Sequence, residues 1–75
     1  MDEQALLHQI SIENNVNIEL LKDLIHDEKL LALIRAGKST NAILYLRSTQ
    51  VMVGLTEATM IVEAFAQAQR LGNLG

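Results

Sequence analysis

Apolar positions along this chain fall into groups at helical spacing, separated by short polar breaks. Leu6, Leu7 and Ile10 form the first stripe and predict a helix from about Ala5 to Glu13, with Asp2 or Glu3 near its positive end. "NNVN" follows. Two adjacent Asn residues suit a helix exit, because Asn tolerates the left-handed conformation. Asn17 is a good N-cap for a second helix starting at Ile18, with Glu19 in its first turn. Val16 and Leu21 have the spacing of a hydrophobic staple around that start. Leu21, Leu24 and Ile25 continue the stripe, "HDEK" interrupts it, and "LLALI" is apolar on all sides. A helix apolar all round is buried by more than one neighbour. The pattern fits one long helix from Ile18 to Ala36, or a break at which Asp27 caps a new one.

Arg35 in a last turn and Gly37 just beyond mark the next exit. Ser39 or Thr40 is then expected to cap a helix whose apolar face is Ala42, Ile43 and Leu46. The last helix is expected after Gly54, with Thr56 as N-cap, Glu57 in the first turn and Leu55–Met60 as the staple. Ala58, Ile61, Val62, Phe65 and Ala68 are its stripe, and "LGNLG" reads as a frayed tail. One segment does not fit this punctuation. Val51, Met52 and Val53 are three apolar residues in a row where a connection is expected, and connections are usually polar and exposed.

The chain has 75 residues, so it forms one domain, residues 1–75. A chain this short buries only about 60% of its unfolded surface and is marginally stable. Small domains commonly add disulfides, a metal or a partner subunit. The sequence has no Cys, which removes disulfides and thiolate zinc sites, and only two His. That leaves efficient helix packing or oligomerisation. No apolar run is long enough to span a membrane. The acidic "MDEQALL" start argues against a secretory signal, and the expectation is a cytoplasmic protein.

The net charge of −3 hides an asymmetry. Residues 1–34 carry seven acids against two bases, and residues 35–75 carry four bases against two acids. Such halves could pair head to tail in an oligomer, or simply be solvated faces.

Catalytic chemistry is sparse. Ser11, Ser39 and Ser48 read as helix-surface or cap residues rather than nucleophiles. His26 has Asp23 three residues before it, the spacing of a base with its orienter, of half a metal site, or of a surface ion pair. His8 reads as a surface or half-buried helix residue, and the adjacent Asp27 and Glu28 do not face one another. "AGKST" has the letters of a phosphate-loop ending without the upstream glycine. No cofactor or metal is expected. Nucleic acid is the alternative partner, through Arg35, Lys38 and Arg47 flanking the junction before the third helix. "ISIENNVNIELLKDLI" has a helix-turn-helix rhythm, but its second helix offers Glu19, Asp23, Asp27 and Glu28 against Lys22 and Lys29. Binding rests on neutralising phosphates, so that helix is a poor reader.

Residues 37–65 carry Ala42, Ile43 and Arg47, then Gly54, Leu55, Glu57, Ala58, Val62 and Glu63. In this spacing they resemble the helix-turn-helix part of the C-terminal domain of the bacterial ribosomal stalk protein. The resemblance implies a local pair of helices joined by a turn. Here the turn is one residue longer, and Val51-Met52-Val53 stands in place of its glycine-rich character. The family's basic positions, which meet translation factors, fall on Leu44, Thr56 and Thr59, and Arg47 alone remains.

The expected fold is all-α: four helices, or five if "HDEK" is a break, with helix-turn-helix units and an oligomeric state, a dimer favoured. The expected function is a small non-catalytic protein–protein interaction module or accessory subunit. Its candidate contact residues are Val51, Met52, Val53 and Met60, with Arg47 at the rim. The competing reading of that group is a connection folded inward as ordinary core.

Overall fold

The computed structural model describes residues 3–74. Five helices, and no strand, make up the regular structure among these residues: α1 (Glu3–Asn14), α2 (Ile18–Leu24), α3 (Glu28–Arg35), α4 (Ser39–Thr49) and α5 (Leu55–Arg70). Glu3 opens α1, and Asp2 lies outside the described residues.

Local chemistry sets most of the boundaries. Asn15 takes φ 55° beyond α1, and the Val16 amide donates to the Ser11 carbonyl at 3.1 Å. This is the left-handed exit that paired Asn residues favour. The Ser11 hydroxyl adds a bond to the Val16 carbonyl, so the exit is held twice. Asn17 Oδ1 then accepts from the Glu19 amide at 2.8 Å and caps α2.

The "HDEK" segment is a break. Ile25 and His26 turn, and Asp27 becomes the N-cap of α3, accepting from the Leu30 amide at 3.1 Å. Gly37, at φ 78°, closes α3: its amide donates to Ile34 and that of Lys38 to Leu33. A Cβ at such a φ is strained, which is why glycine is favoured there.

Neither Ser39 nor Thr40 caps α4. The N-cap is Lys38, without a side-chain bond, because its carbonyl already accepts the Ala42 amide as the chain leaves the glycine exit. Thr56 does not cap α5 either. Gly54 does, in extended conformation, and Leu55 is the first helical residue. Nor is the tail frayed as far as it is described. Gly72 repeats the left-handed exit, the Asn73 amide donates to Ala68 at 2.8 Å, and Leu74 packs against the core. Gly75 lies outside the described residues.

The central element is α5, against which α1, α3 and α4 all pack; α4 also packs on α3, and α2 on α1. Ala58, Ile61, Val62, Phe65 and Ala68 are buried, as their spacing predicts. They meet Leu21, Leu24, Leu30 and Leu46 in one cluster. Each fully buried large side chain contributes about 1.5–3 kcal/mol. "LLALI" lies between two neighbours, α4 and α5, with Leu30 and Ile34 buried and Leu31 and Leu33 half-buried. The Gln69 side chain ties α5 to α3 by donating to the Leu31 carbonyl at 3.1 Å.

One copy closes its own core. Its accessible surface is 4648 Å², against about 4600 Å² for a folded monomer of its 8.3 kDa mass. No helix among the described residues is long and apolar enough to cross a membrane.

Candidate functional site

The connection between α4 and α5 divides the apolar triplet. The Gln50 amide donates to the Leu46 carbonyl at 2.8 Å and ends α4. The Val53 amide then donates to the Gln50 carbonyl at 3.0 Å, closing a tight turn with Val51 and Met52 at its centre. Val53 comes just before the Gly54 cap, and Ala58 is the fourth helical residue, the spacing of a hydrophobic staple. Both belong to the core, Val53 at 7% exposed. Val53 is therefore explained by packing.

Val51 and Met52 are not. They are 87% and 92% exposed. Central turn positions favour Gly, Asn, Asp, Ser and Pro, each for a conformational reason that Val and Met lack. Their side chains thus gain nothing locally and bury nothing in this copy. Leu55, just past the turn, is also exposed, as is Leu44 on α4. Arg47 lies in the last turn of α4, three residues after Leu44, exposed and in no ion pair among the described residues.

Met60 does not join this group. It lines a groove between α1 and α5 with Leu6, Ile10 and Ala68. The Leu55–Met60 staple does not form, because starting the helix at Leu55 moves the staple to Val53 and Ala58. Of the five residues predicted as contacts, Arg47, Val51 and Met52 share one exposed end of the fold, Val53 is core, and Met60 belongs elsewhere.

The three bases predicted for nucleic acid are all exposed but not gathered. Lys38 is the N-cap of α4 and Arg47 is in its last turn, roughly 13 Å along the axis. Arg47 therefore flanks the α4–α5 turn, not the α3–α4 junction. Arg35 borders a hollow shared with Glu28 and His26. Helix dipoles explain much of the charge placement. Arg35, Arg47 and Arg70 occupy last turns, and Glu3, Glu19, Glu28 and Glu57 first turns.

Some of the polar groups that could serve chemistry are engaged in holding helices. Ser11 is bound to Val16, and His8 Nδ1 donates to the Gln4 carbonyl at 2.9 Å. Asp23 and His26 form no ion pair; the pair on α2 is Lys22 with Glu19 at 3.6 Å. Among the described residues no group of three metal-ligating side chains comes together. One connected polar cluster joins α3 to α4. The Tyr45 hydroxyl donates to both Asp27 oxygens, at 3.0 and 2.9 Å, and Lys29 Nζ lies 5.2 Å from the ring centroid. The bond to Asp27, together with desolvation and the carboxylate charge, raises the Tyr45 phenol above its ordinary value.

Sequence reasoning did not find the α1–α5 groove, whose rim carries Glu13 and Glu63. Those acids are solvent-facing helix positions, and nothing in their spacing shows that two helices bring them together. No family model matches the chain, and no curated protein or solved structure matches it either.

Proposed function

We propose that this chain is a non-catalytic protein–protein interaction module, an accessory subunit of the cytoplasm that self-associates. Its contact surface is the α4–α5 turn: Val51 and Met52 at the tip, Leu44 and Leu55 beside them, Arg47 at the rim. One observation carries this reading: two large apolar side chains at the centre of a turn, neither buried nor required by the turn's conformation. Met is well suited to such a surface because its side chain adapts to what it meets. The reading includes no catalytic step, since Ser11, His8 and Asp27 are each committed to a structural bond. It takes nothing from the stalk family's translation-factor site, whose basic positions are here Leu44, Thr56 and Thr59. Nucleic acid is the less favoured partner, because Arg35, Lys38 and Arg47 are spread over both ends of α4.

The test compares the chain with its Val51→Asp/Met52→Asp variant. Both substitutions lie at exposed positions, so stability should change by no more than about 0.5 kcal/mol for each. Self-association measured by sedimentation, or capture of protein partners, should be lost in the variant. A monomeric parent chain whose captured partners are the same with and without the two substitutions would falsify the reading.

A further inference from the structure

The end of the α4–α5 hairpin carries its own complement. The two helices pack side by side and are joined by residues 50–54. Between Ile43 and Val62 the chain has two charges, Arg47 and Glu57. Arg47 is three residues before the Gln50 cap and Glu57 three after the Gly54 cap. Each therefore stands about one helical turn back from the connection, one on each arm. Arg47 is exposed, Glu57 is half-buried, and neither is in an ion pair among the described residues. Midway between them project Val51 and Met52, more exposed than any other large apolar side chain among the described residues. The charges that reach this part of α4 from α3 are engaged: Tyr45 binds Asp27, and Lys29 lies over the Tyr45 ring. The hairpin end is thus apolar at its centre, with a base on one arm and an acid on the other.

We infer that two copies meet end to end through this hairpin, on a two-fold axis at the Val51–Met52 tip that sets α4 of each against α5 of the other. The inference rests on reading the turn as a contact surface and names its partner, a second copy. An apolar tip is covered by an identical tip, with Val51 and Met52 of both copies at the axis and Leu55 widening the apolar centre. Charge then selects between the two ways of joining the hairpins end to end. With the axis in the plane of α4 and α5, α4 meets α4 and Arg47 faces Arg47. With the axis perpendicular to that plane, α4 meets α5, and Arg47 of each copy faces Glu57 of the other. Opposed like charges disfavour the first arrangement, and two opposite pairs favour the second. Such a contact is isologous: it uses the same patch on both copies and closes at two. The patch is much smaller than the roughly 20–30 residues a side of a standard interface, so the dimer is weak and salt-sensitive.

The experiment combines cross-linking with sedimentation equilibrium at low salt. The chain has no Cys, so one introduced thiol reports one position. Met52→Cys should form a disulfide-linked dimer under mild oxidation, because the two thiols meet at the axis. Ile12→Cys, also exposed but on α1, is the control and should stay largely monomeric. In sedimentation the parent chain should pass from monomer to dimer as concentration rises and show nothing larger. Arg47→Glu alone and Glu57→Lys alone each set like charges across both pairs and should weaken the dimer about tenfold. Mixed in equal amounts, these two variants should associate with each other as the parent does with itself, because every pair is again opposite in sign. The double variant Arg47→Glu/Glu57→Lys should dimerise like the parent. Helical circular dichroism is read for each variant, and where Glu57→Lys weakens the start of α5, Met52→Cys and Arg47→Glu decide the question by themselves. Equal cross-linking of Met52→Cys and Ile12→Cys, association indifferent to the single charge changes, or growth past the dimer overturns the two-fold contact. Loss of association in Val51→Asp/Met52→Asp then keeps the turn as a contact of another geometry. A parent chain monomeric at millimolar concentration overturns the inference outright, and the capture comparison then decides separately whether the turn is a contact surface at all.

Discussion

At the scale of single residues, Asp27 does two things with one carboxylate. Oδ1 caps α3 through the Leu30 amide, and both oxygens accept from the Tyr45 hydroxyl on α4. Asp27→Ala removes the cap and the tie together. Loss of an N-cap alone costs about 1 kcal/mol, so a loss of about 1–2 kcal/mol in urea unfolding is expected. Tyr45→Phe should cost less, because the cap survives it. The pair also gives a pH signature. The folded-state pKa of Tyr45 is raised, so its contribution is fully present below the unfolded phenol value of about 10. It is lost as pH rises from there through the folded pKa. The stability advantage of the parent chain over Tyr45→Phe should be flat from pH 7 to about 9 and shrink above about 10. An advantage that stays constant up to pH 11 would remove this account of the shift. Asp27 was legible in the sequence as a possible cap. Its partner Tyr45 was not, because eighteen residues separate them and only the packing of α3 on α4 joins them.

At the scale of elements, the helix ends decide where each next helix begins. Gly37 is at φ 78°, and the Lys38 amide is bound back to Leu33. The chain therefore enters α4 at Lys38, leaving the better capping residues, Ser39 and Thr40, already inside the helix. Capping preference read residue by residue misplaces that start, because the preceding exit determines it. The same shift operates at α5, where Gly54 rather than Thr56 is the cap and the staple moves from Leu55–Met60 to Val53–Ala58. The stripes themselves were legible, since Ala42, Leu46 and the five buried α5 residues follow helical period. Two glycines of different geometry give opposite predictions. Gly37→Ala forces a Cβ into the left-handed region and should destabilise by about 1–2 kcal/mol. Gly54 has ordinary extended backbone and open space where a Cβ would sit. Gly54→Asp should add a side-chain cap and a favourable charge at the positive end of α5, and so stabilise by several tenths of a kcal/mol. Chemical denaturation of the two variants reads both signs, and a stabilising Gly37→Ala would overturn the exit geometry.

At the scale of the whole molecule, the proposed function assigns stability to the core and contact to the turn tip. A 75-residue chain has about 4–11 kcal/mol of stability in all. Phe65 is fully buried at the centre of α5, the helix against which α1, α3 and α4 pack. Phe65→Ala should cost about 3–5 kcal/mol, most of the margin if stability lies at the lower end. For a domain of this size that lowers the thermal midpoint by at least about 12 °C or abolishes the transition. Val51→Asp/Met52→Asp carries the same apolar-to-small-or-polar logic to positions that bury nothing, and should leave the midpoint within a few degrees. The contrast bears on why the tip is apolar. Had the turn folded inward as a whole, the three residues would behave alike. Instead Val53→Asp should resemble Phe65→Ala in kind, because it places a charge where the core closes. Thermal melts at low protein concentration should therefore divide the triplet, with Val53 needed for stability and Val51 and Met52 dispensable for it. A large loss of stability from Val51→Asp/Met52→Asp under those conditions would assign the tip to folding and leave the interaction surface without its main support.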